Sequence, residues 1–388
     1  MKQDGTASHP IYLDHNATTP VAPEVVNLMS QVLAEDFGNP SSDHPYGLNA
    51  RARVITARAE IATLLGCAPE EILITGGGSE SNNQALRGIV EALGDRFGGL
   101  VISAVEHPAI VKPAAWLAAR GVQLRVVPVD KFGRVDPGDV ETAVRDLSCG
   151  GRLALVSIMH ANNEVGTLQP IQEISRRVKS WGAILHTDAA QSVGKIPVDV
   201  TTLDVDLLTV AGHKLYGPKG IGALYIRAGT PMVPLILGAG QERGLRAGTE
   251  NAPGMAGLGC ACRLAHQRMP EDEPYARRLR DTFLRMLKER IPGIERNGHP
   301  VEVLPNTLNV SFPGVLGRHL LEKCPGLAAS TGSACHAGEE KPSEILLKMG
   351  LSESRALGAL RLSLGRHTEA AHVEKATDFL TDAWKALR

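Results

Sequence analysis

Two ionisable side chains stand at the ends of apolar runs. The run ILHTDAAQ (184–191) is apolar up to Asp188, which two small residues and Gln191 follow. An acid there can pair with a heterocycle nitrogen and keep it protonated, or it can cap the next turn; taken alone, the two readings stand level. The run DLLTVAGHKLYGPKG (206–220) ends in His213 and Lys214 before a Gly/Pro-rich turn. Desolvation lowers the pKa of a lysine at the end of a buried strand and frees its amine for Schiff-base chemistry. Lys219 lies in the turn itself and reads as exposed. A third run, ITGGGSESNN (74–83), passes through three glycines to Ser79, which begins a helical pattern. Backbone N–H groups in such a turn can approach an anion at a helix N-terminus, although no Gly-Lys-Ser/Thr follows to make it a P-loop. Glu106-His107-Pro108 and Asn162-Asn163-Glu164 each follow further apolar runs. An imidazole such as His107 can stack on a flat ring or simply be structural.

The elements that must carry these residues are short apolar strands alternating with helical patterns. Strands are expected over 71–75, 100–104, 123–128, 153–158, 184–187, 207–210 and 223–226. Helices are expected over 45–65, 79–93, 109–120 and 171–181. Near-continuous apolar strands separated by helices imply an α/β fold with a mainly parallel, seven-stranded sheet and right-handed crossovers. In such sheets ligands bind beyond the carboxyl ends of strands. Five strand ends then supply one layer with an anion cradle, an aromatic platform, an amide, an acid and a lysine. That set meets the needs of pyridoxal 5'-phosphate: a phosphate anchor, ring stacking, a partner for the pyridine nitrogen and a Schiff-base lysine, Lys214. Caps and turns alone would have to account for all five together. After about residue 250 the pattern changes. A charged amphipathic helix is expected over 277–290, strands over 308–312 and 361–364, and a closing helix over 372–387. The domains expected are 15–250, large and cofactor-binding, and 1–14 plus 251–388, a smaller α+β domain.

The 388 residues carry a formal net charge of -1, so nothing electrostatic calls for nucleic acid or an anionic membrane as main partner. No apolar run reaches the roughly 20 residues that span a bilayer, and the first ten residues lack a signal-peptide pattern. The six cysteines form neither a disulfide scaffold nor a zinc-type spacing, and metal is not expected. Reduced thiols and a cytoplasmic location are the simplest reading. Cys260 and Cys262 sit in a small, apolar, helix-like stretch and read as packed thiols. Cys335 differs: small residues precede it and polar ones follow, which describes an exposed loop and favours a reactive thiolate. The adjacent His336 can lower its pKa.

Ordered along the chain, these motifs resemble the cysteine desulfurase and selenocysteine lyase family, in the class V aminotransferase group of fold-type I pyridoxal phosphate enzymes. The resemblance runs through YLDHNATTP (12–20), GNPSS (38–42), 76–83, Glu106-His107, NNEVG (162–166), HTDAAQ (186–191), GHKLYGP (212–218), 241–251, STGSAC (330–335) and RLSLGR (361–366). It implies Lys214 as the Schiff-base lysine, Asp188 on the pyridine nitrogen, Gln191 and Asn162 on the phenolic-oxygen side, and His107 stacked on the ring. It also implies Gly78, Ser79 and His213 on the phosphate, Thr249 reaching the phosphate of a second subunit in a homodimer, and Arg361, with Asn162, on the substrate. L-cysteine would become L-alanine, with Lys214 moving the Cα proton, His107 the thiol proton, and Cys335 taking the sulfur as a persulfide for an acceptor protein. One departure is Ala211, where many members carry a phosphate-binding serine. L-selenocysteine is the rival substrate, since His336, 158–163 and 304–307 look like the lyase branch. A non-catalytic sulfur-delivery scaffold would need a broken Lys, Asp or Cys, and all three are intact. An aminotransferase or kynureninase-like enzyme would not need Cys335.

Overall fold

A computed structural model describes residues 9–331 and 341–388. The first half of the described chain runs β1 (Ile11–Tyr12), α1 (Pro23–Glu35), α2 (Pro45–Leu65), β2 (Ile72–Thr75), α3 (Gly78–Leu93), β3 (Phe97–Ser103), α4 (Pro108–Ala118), β4 (Leu124–Val127), α5 (Pro137–Leu147), β5 (Leu153–Ser157), α6 (Ile171–Val178) and β6 (Ile184–Asp188). It continues α7 (Val200–Leu203), β7 (Leu207–Ala211), β8 (Gly222–Ile226), α8 (Ala252–Arg290), β9 (Glu295–Asn297), β10 (Thr307–Ser311), α9 (Gly317–Glu322), β11 (Leu327–Ala328), α10 (Glu344–Lys348), α11 (Glu353–Leu357), β12 (Ala359–Ser363) and α12 (Ala370–Ala386). Local signals set the ends of these elements. In α2, the His44 side chain accepts from Gly47 N, Pro45 takes the first turn, and Gly66 closes the helix at φ 70°.

The seven expected strands form one sheet in the order β2-β8-β7-β6-β5-β3-β4. Only β8 runs against its neighbours; the remaining pairs are parallel. Adjacent residues in each strand bury on opposite faces. Val101, Val156, Leu185 and Leu208 pack with α2 and the start of α8, whereas Leu100, Leu155, Ile184 and Leu207 pack with α3 and α4. Both faces are therefore covered, which explains the near-continuous apolar runs. The carboxyl ends of β2, β3, β5, β6 and β7 consequently share one edge.

A second core gathers Leu13, Phe283, Leu287, Leu308, Val310, Leu360, Leu362 and the apolar face of α12 around the antiparallel sheet β12-β10-β9. Helix α8 joins the two cores. Met255, Leu258 and Cys262 lie in the first, Leu279, Phe283 and Leu287 in the second. The helix expected over 277–290 is thus the last third of a 39-residue helix, roughly 60 Å long. Pro270 and Pro274, inside it, break the sequence pattern without ending the helix. Cys260 and Cys262 are buried there, and burial raises both thiols.

Candidate active site

The shared strand edge opens into a cavity of about 670 Å³ between the two cores. Its wall includes Gly78, Ser79, His107, Asp188, Gln191, His213, Lys214 and Arg361, so most of the residues expected from sequence meet there.

The glycine turn after β2 leads into α3 with no side-chain cap, leaving the first N–H groups of the helix open. Gly77 has φ 137°, a conformation suited to glycine. The turn lies against Gly222, where a Cβ would come within 2.8 Å of Gly77 Cα. Glu80 Oε2 accepts from Gly76 N at 2.8 Å, and Thr75 Oγ1 and Ser81 Oγ share a hydrogen bond of 2.7 Å. Ala211 also lines the cavity, where its methyl lies 3.3 Å from the Cβ position of Gly78. Thr18, not singled out from sequence, stands at the same end and shares a 3.2 Å hydrogen bond with His213 Nδ1.

Asp188 ends β6. Its Oδ1 accepts from Ala190 N at 3.0 Å and its Oδ2 from Asn82 Nδ2 at 2.7 Å. It caps the following turn and lines the cavity at once, so the two readings of this residue do not exclude each other. Asn82 was missed because it lies mid-helix in α3 and becomes Asp188's partner only through packing across the sheet. Glu106 is buried at the end of β3. Its Oε1 accepts from Ser103 Oγ at 2.5 Å and Met159 N at 2.9 Å, tying β3 to β5, and burial pushes its carboxyl up to about 8. His107 begins α4, with Nδ1 accepting from Ala109 N at 3.1 Å. That bond favours the neutral tautomer with its proton on Nε2. Desolvation lowers the imidazole's pKa, Asp188 opposes this and Lys214 adds to it.

Lys214 follows β7 in a short turn, and its Nζ donates to Asn16 O at 2.5 Å and Ala17 O at 2.9 Å. Burial first and the Arg361 guanidinium second bring its pKa down to about 8, against the pull of Asp188 and Asp14. Two residues on, Tyr216 holds φ 66°, unusual for a bulky side chain. Its N–H donates to Thr19 Oγ1 and its hydroxyl accepts from Arg366 N, which keeps the turn in place. Lys219 is exposed at the cavity rim.

The two neighbouring asparagines are placed differently. Asn162 turns its side chain into the protein, where Oδ1 accepts from Glu164 N and Val165 N and Nδ2 donates to Val105 O. Asn163 lines the cavity instead, with a buried Oδ1 that has no partner. A tight turn at 162–166 consumes the first amide and leaves the second free, a choice that the doublet does not disclose. Gln191 reaches the cavity with Nε2 on Asn16 O at 2.9 Å. Arg361, on β12, is 6% exposed. It pairs with Asp14 at 2.7 Å and donates to Asn163 O at 3.1 Å, while its buried Nε has no partner. Thr249 is exposed and outside the lining of its own chain's cavity. Cys335 and His336 lie outside the described residues; Ser330, five positions before Cys335, lines the cavity beside Arg361. No cluster of three or more His, Cys, Asp or Glu able to hold a metal occurs among the described residues, and no helix there is long and apolar enough to cross a membrane.

Pyridoxal phosphate fits these residues. The open N–H groups of α3 suit its phosphate, Asp188 a protonated ring nitrogen, and Lys214 its aldehyde. The unpartnered Asn163 Oδ1 and Arg361 Nε mark polar atoms for which a polar ligand would supply partners.

Comparison with known proteins agrees with this geometry. Residues 11–376 match the family described as Aminotransferase class-V. A cysteine desulfurase IscS of Dictyoglomus turgidum is 43% identical over 380 residues, covering 97% of this chain and 95% of that protein. One from Methanosarcina thermophila is 42% identical, covering 99% and 94%. Among solved structures, a NifS-like protein superposes with a TM-score of 0.89 at 35% identity, covering 97% of this chain and 99% of the other. SspA in complex with cysteine does so with a TM-score of 0.80 at 36% identity, covering 91% and 98%.

Proposed function

The chain belongs to the cysteine desulfurase family of class-V aminotransferases, whose members depend on pyridoxal phosphate, and we propose that it uses Lys214, Asp188 and Cys335 to move sulfur from L-cysteine to an acceptor. The observation that carries this reading is the convergence of a low-pKa lysine, a buried acid and an open helix N-terminus on one cavity.

Bound at Lys214, pyridoxal phosphate supplies an electron sink that lets the Cα–H bond of an amino acid ionise. The chain's residues do the rest. Ser79, the turn Gly76–Gly78 and His213 hold the phosphate, with Thr18 beside them where Ala211 brings no hydroxyl. Asp188, fixed by Asn82, keeps the proton on the ring nitrogen. His107 stacks on the ring; Gln191 and Asn163 address its phenolic oxygen. Arg361 takes the substrate carboxylate through paired N–H groups. Lys214, whose amine burial makes easier to deprotonate than an ordinary lysine, moves the proton from Cα. His107 takes the substrate's thiol proton. The Cys335 thiolate then attacks that sulfur, the C–S bond breaks, Cβ takes the proton held by His107, and Cα takes back the proton held by Lys214. L-cysteine and the Cys335 thiol become L-alanine and a Cys335 persulfide, so atoms and electrons balance without an outside oxidant.

Thr249 is exposed and lies away from its own cavity, which suits a residue that serves the phosphate of a second copy in a homodimer. The test is Cys335→Ser. The variant is expected to keep the visible absorbance of bound cofactor and lose persulfide formation; unchanged turnover would overturn the reading. Parallel rates with L-cysteine and L-selenocysteine decide between the two substrates.

A further inference from the structure

Lys195 takes no part in the steps above. It follows Gln191 by four residues, across a turn in which Gly194 holds φ 78° and brings the two side chains together. Its Nζ donates to Gln191 Oε1 at 2.9 Å and to Asn16 Oδ1 at 3.2 Å. Both acceptors are uncharged.

Asn16, 1% exposed, is the centre of this arrangement. Its carbonyl accepts from Lys214 Nζ at 2.5 Å and from Gln191 Nε2 at 2.9 Å. Its Nδ2 donates to Thr307 Oγ1 at 2.9 Å and Asn163 O at 3.2 Å, its N–H to Ser363 Oγ at 2.9 Å, and its Oδ1 also accepts from Asn306 Nδ2 at 3.1 Å. Through its carbonyl and its side chain, this one buried residue ties Lys214, the amides at the cavity and the second core together. With Oε1 held by the Lys195 Nζ donor, Gln191 must turn Nε2 toward Asn16 and the cavity, so the wall presents a donor there.

We propose that Lys195 is a positioning residue of this site: it fixes the donor end of Gln191 toward the cavity and pins the Asn16 carbonyl that receives the Lys214 amine. The inference rests on the cofactor reading above. The charged groups that act on Lys195 are Lys214 and Arg361, and burial, the larger cause, lowers its pKa with them. His15 and His213, on neighbouring segments, feel its charge in turn. Asp272, paired with Arg366, and Glu273 share a small cavity with it.

The test uses the holoenzyme and three variants. Measured are the dissociation constant of pyridoxal phosphate, the pH midpoint of its visible absorbance, and Tm. Lys195→Met should weaken cofactor binding about tenfold and move the midpoint, because the donor end of Gln191 and the Asn16 carbonyl lose their common anchor. Lys195→Gln and Lys195→Arg each keep a donor at that position, so both should bind the cofactor more tightly than Lys195→Met and return the midpoint toward wild type. A folded Lys195→Met with wild-type affinity and midpoint overturns the proposal. Should that variant fail to fold, Gln and Arg variants that both bind the cofactor about tenfold more weakly than wild type overturn it. Lys214→Ala separates the two readings: if it keeps the cofactor's visible band, the cofactor reading fails, whereas a silent Lys195→Met beside a bleached Lys214→Ala sinks only this inference.

Discussion

Replacing Arg361 by lysine or methionine separates its two contributions. The guanidinium sends one nitrogen to Asp14 and another to Asn163 O, and it is the second cause, after burial, of Lys214's fall from 10.5 to about 8. Lysine keeps the charge but offers a point ammonium instead of a fork. Losing one hydrogen bond to a charged group costs about 2 kcal/mol, about thirtyfold in the KM for L-cysteine, with the Lys214 midpoint still near 8. Methionine removes the charge as well. Burial, the larger cause, remains, so the Lys214 pKa should recover only part of the fall, on the order of one unit. The KM should rise by about a hundredfold or more. The midpoint is read in the apoprotein from the pH dependence of amine labelling at Lys214, located by mass spectrometry. An Arg361→Met enzyme with unchanged KM and midpoint would refute the assignment of Arg361 to the cavity wall.

Three further outcomes are expected. Burial raises Glu106 to about 8, so its stabilising contribution is full below about 4.5 and lost as pH rises through about 8. Glu106→Gln, which can still accept from Ser103 and Met159, should therefore gain Tm relative to wild type at pH 9 and not at pH 4; an equal difference at both would contradict this. Gly222→Ala forces its methyl against Gly77 Cα at 2.8 Å and Val210 O at 2.6 Å. It should displace the glycine turn and weaken cofactor binding at least about tenfold, followed by titrating the apoprotein. Asn162→Ala should lower Tm by loosening the 162–166 turn, while Asn163→Ala should leave Tm near wild type and change cofactor affinity or spectrum; the reverse pattern would restore Asn162 to the cavity.

Strand positions were legible because burial on both faces demands continuous apolar runs, and glycine, proline and polar residues mark their ends. That was enough to put Asp188, His107 and Lys214 on one edge. The residues that hold those side chains in place were not legible. Asn82, Asp14, Thr18 and Asn16 reach the site from a helix and from the N-terminal segment, and no local pattern distinguishes them from caps or surface residues. Lys195 is a similar case, since a lysine in a turn ordinarily faces water.

By itself, then, the amino-acid sequence determined the sheet, the edge at which its polar residues gather, and the kind of chemistry that such a set performs. These are consequences of short-range periodicity and of residue type. Which asparagine of the pair faces the cavity, how Arg361 shares its nitrogens, and what receives the Lys214 amine were decided only by the tertiary structure. Each depends on which buried polar atoms find partners across elements far apart in the chain, and that satisfaction of hydrogen bonds is a property of the packed whole.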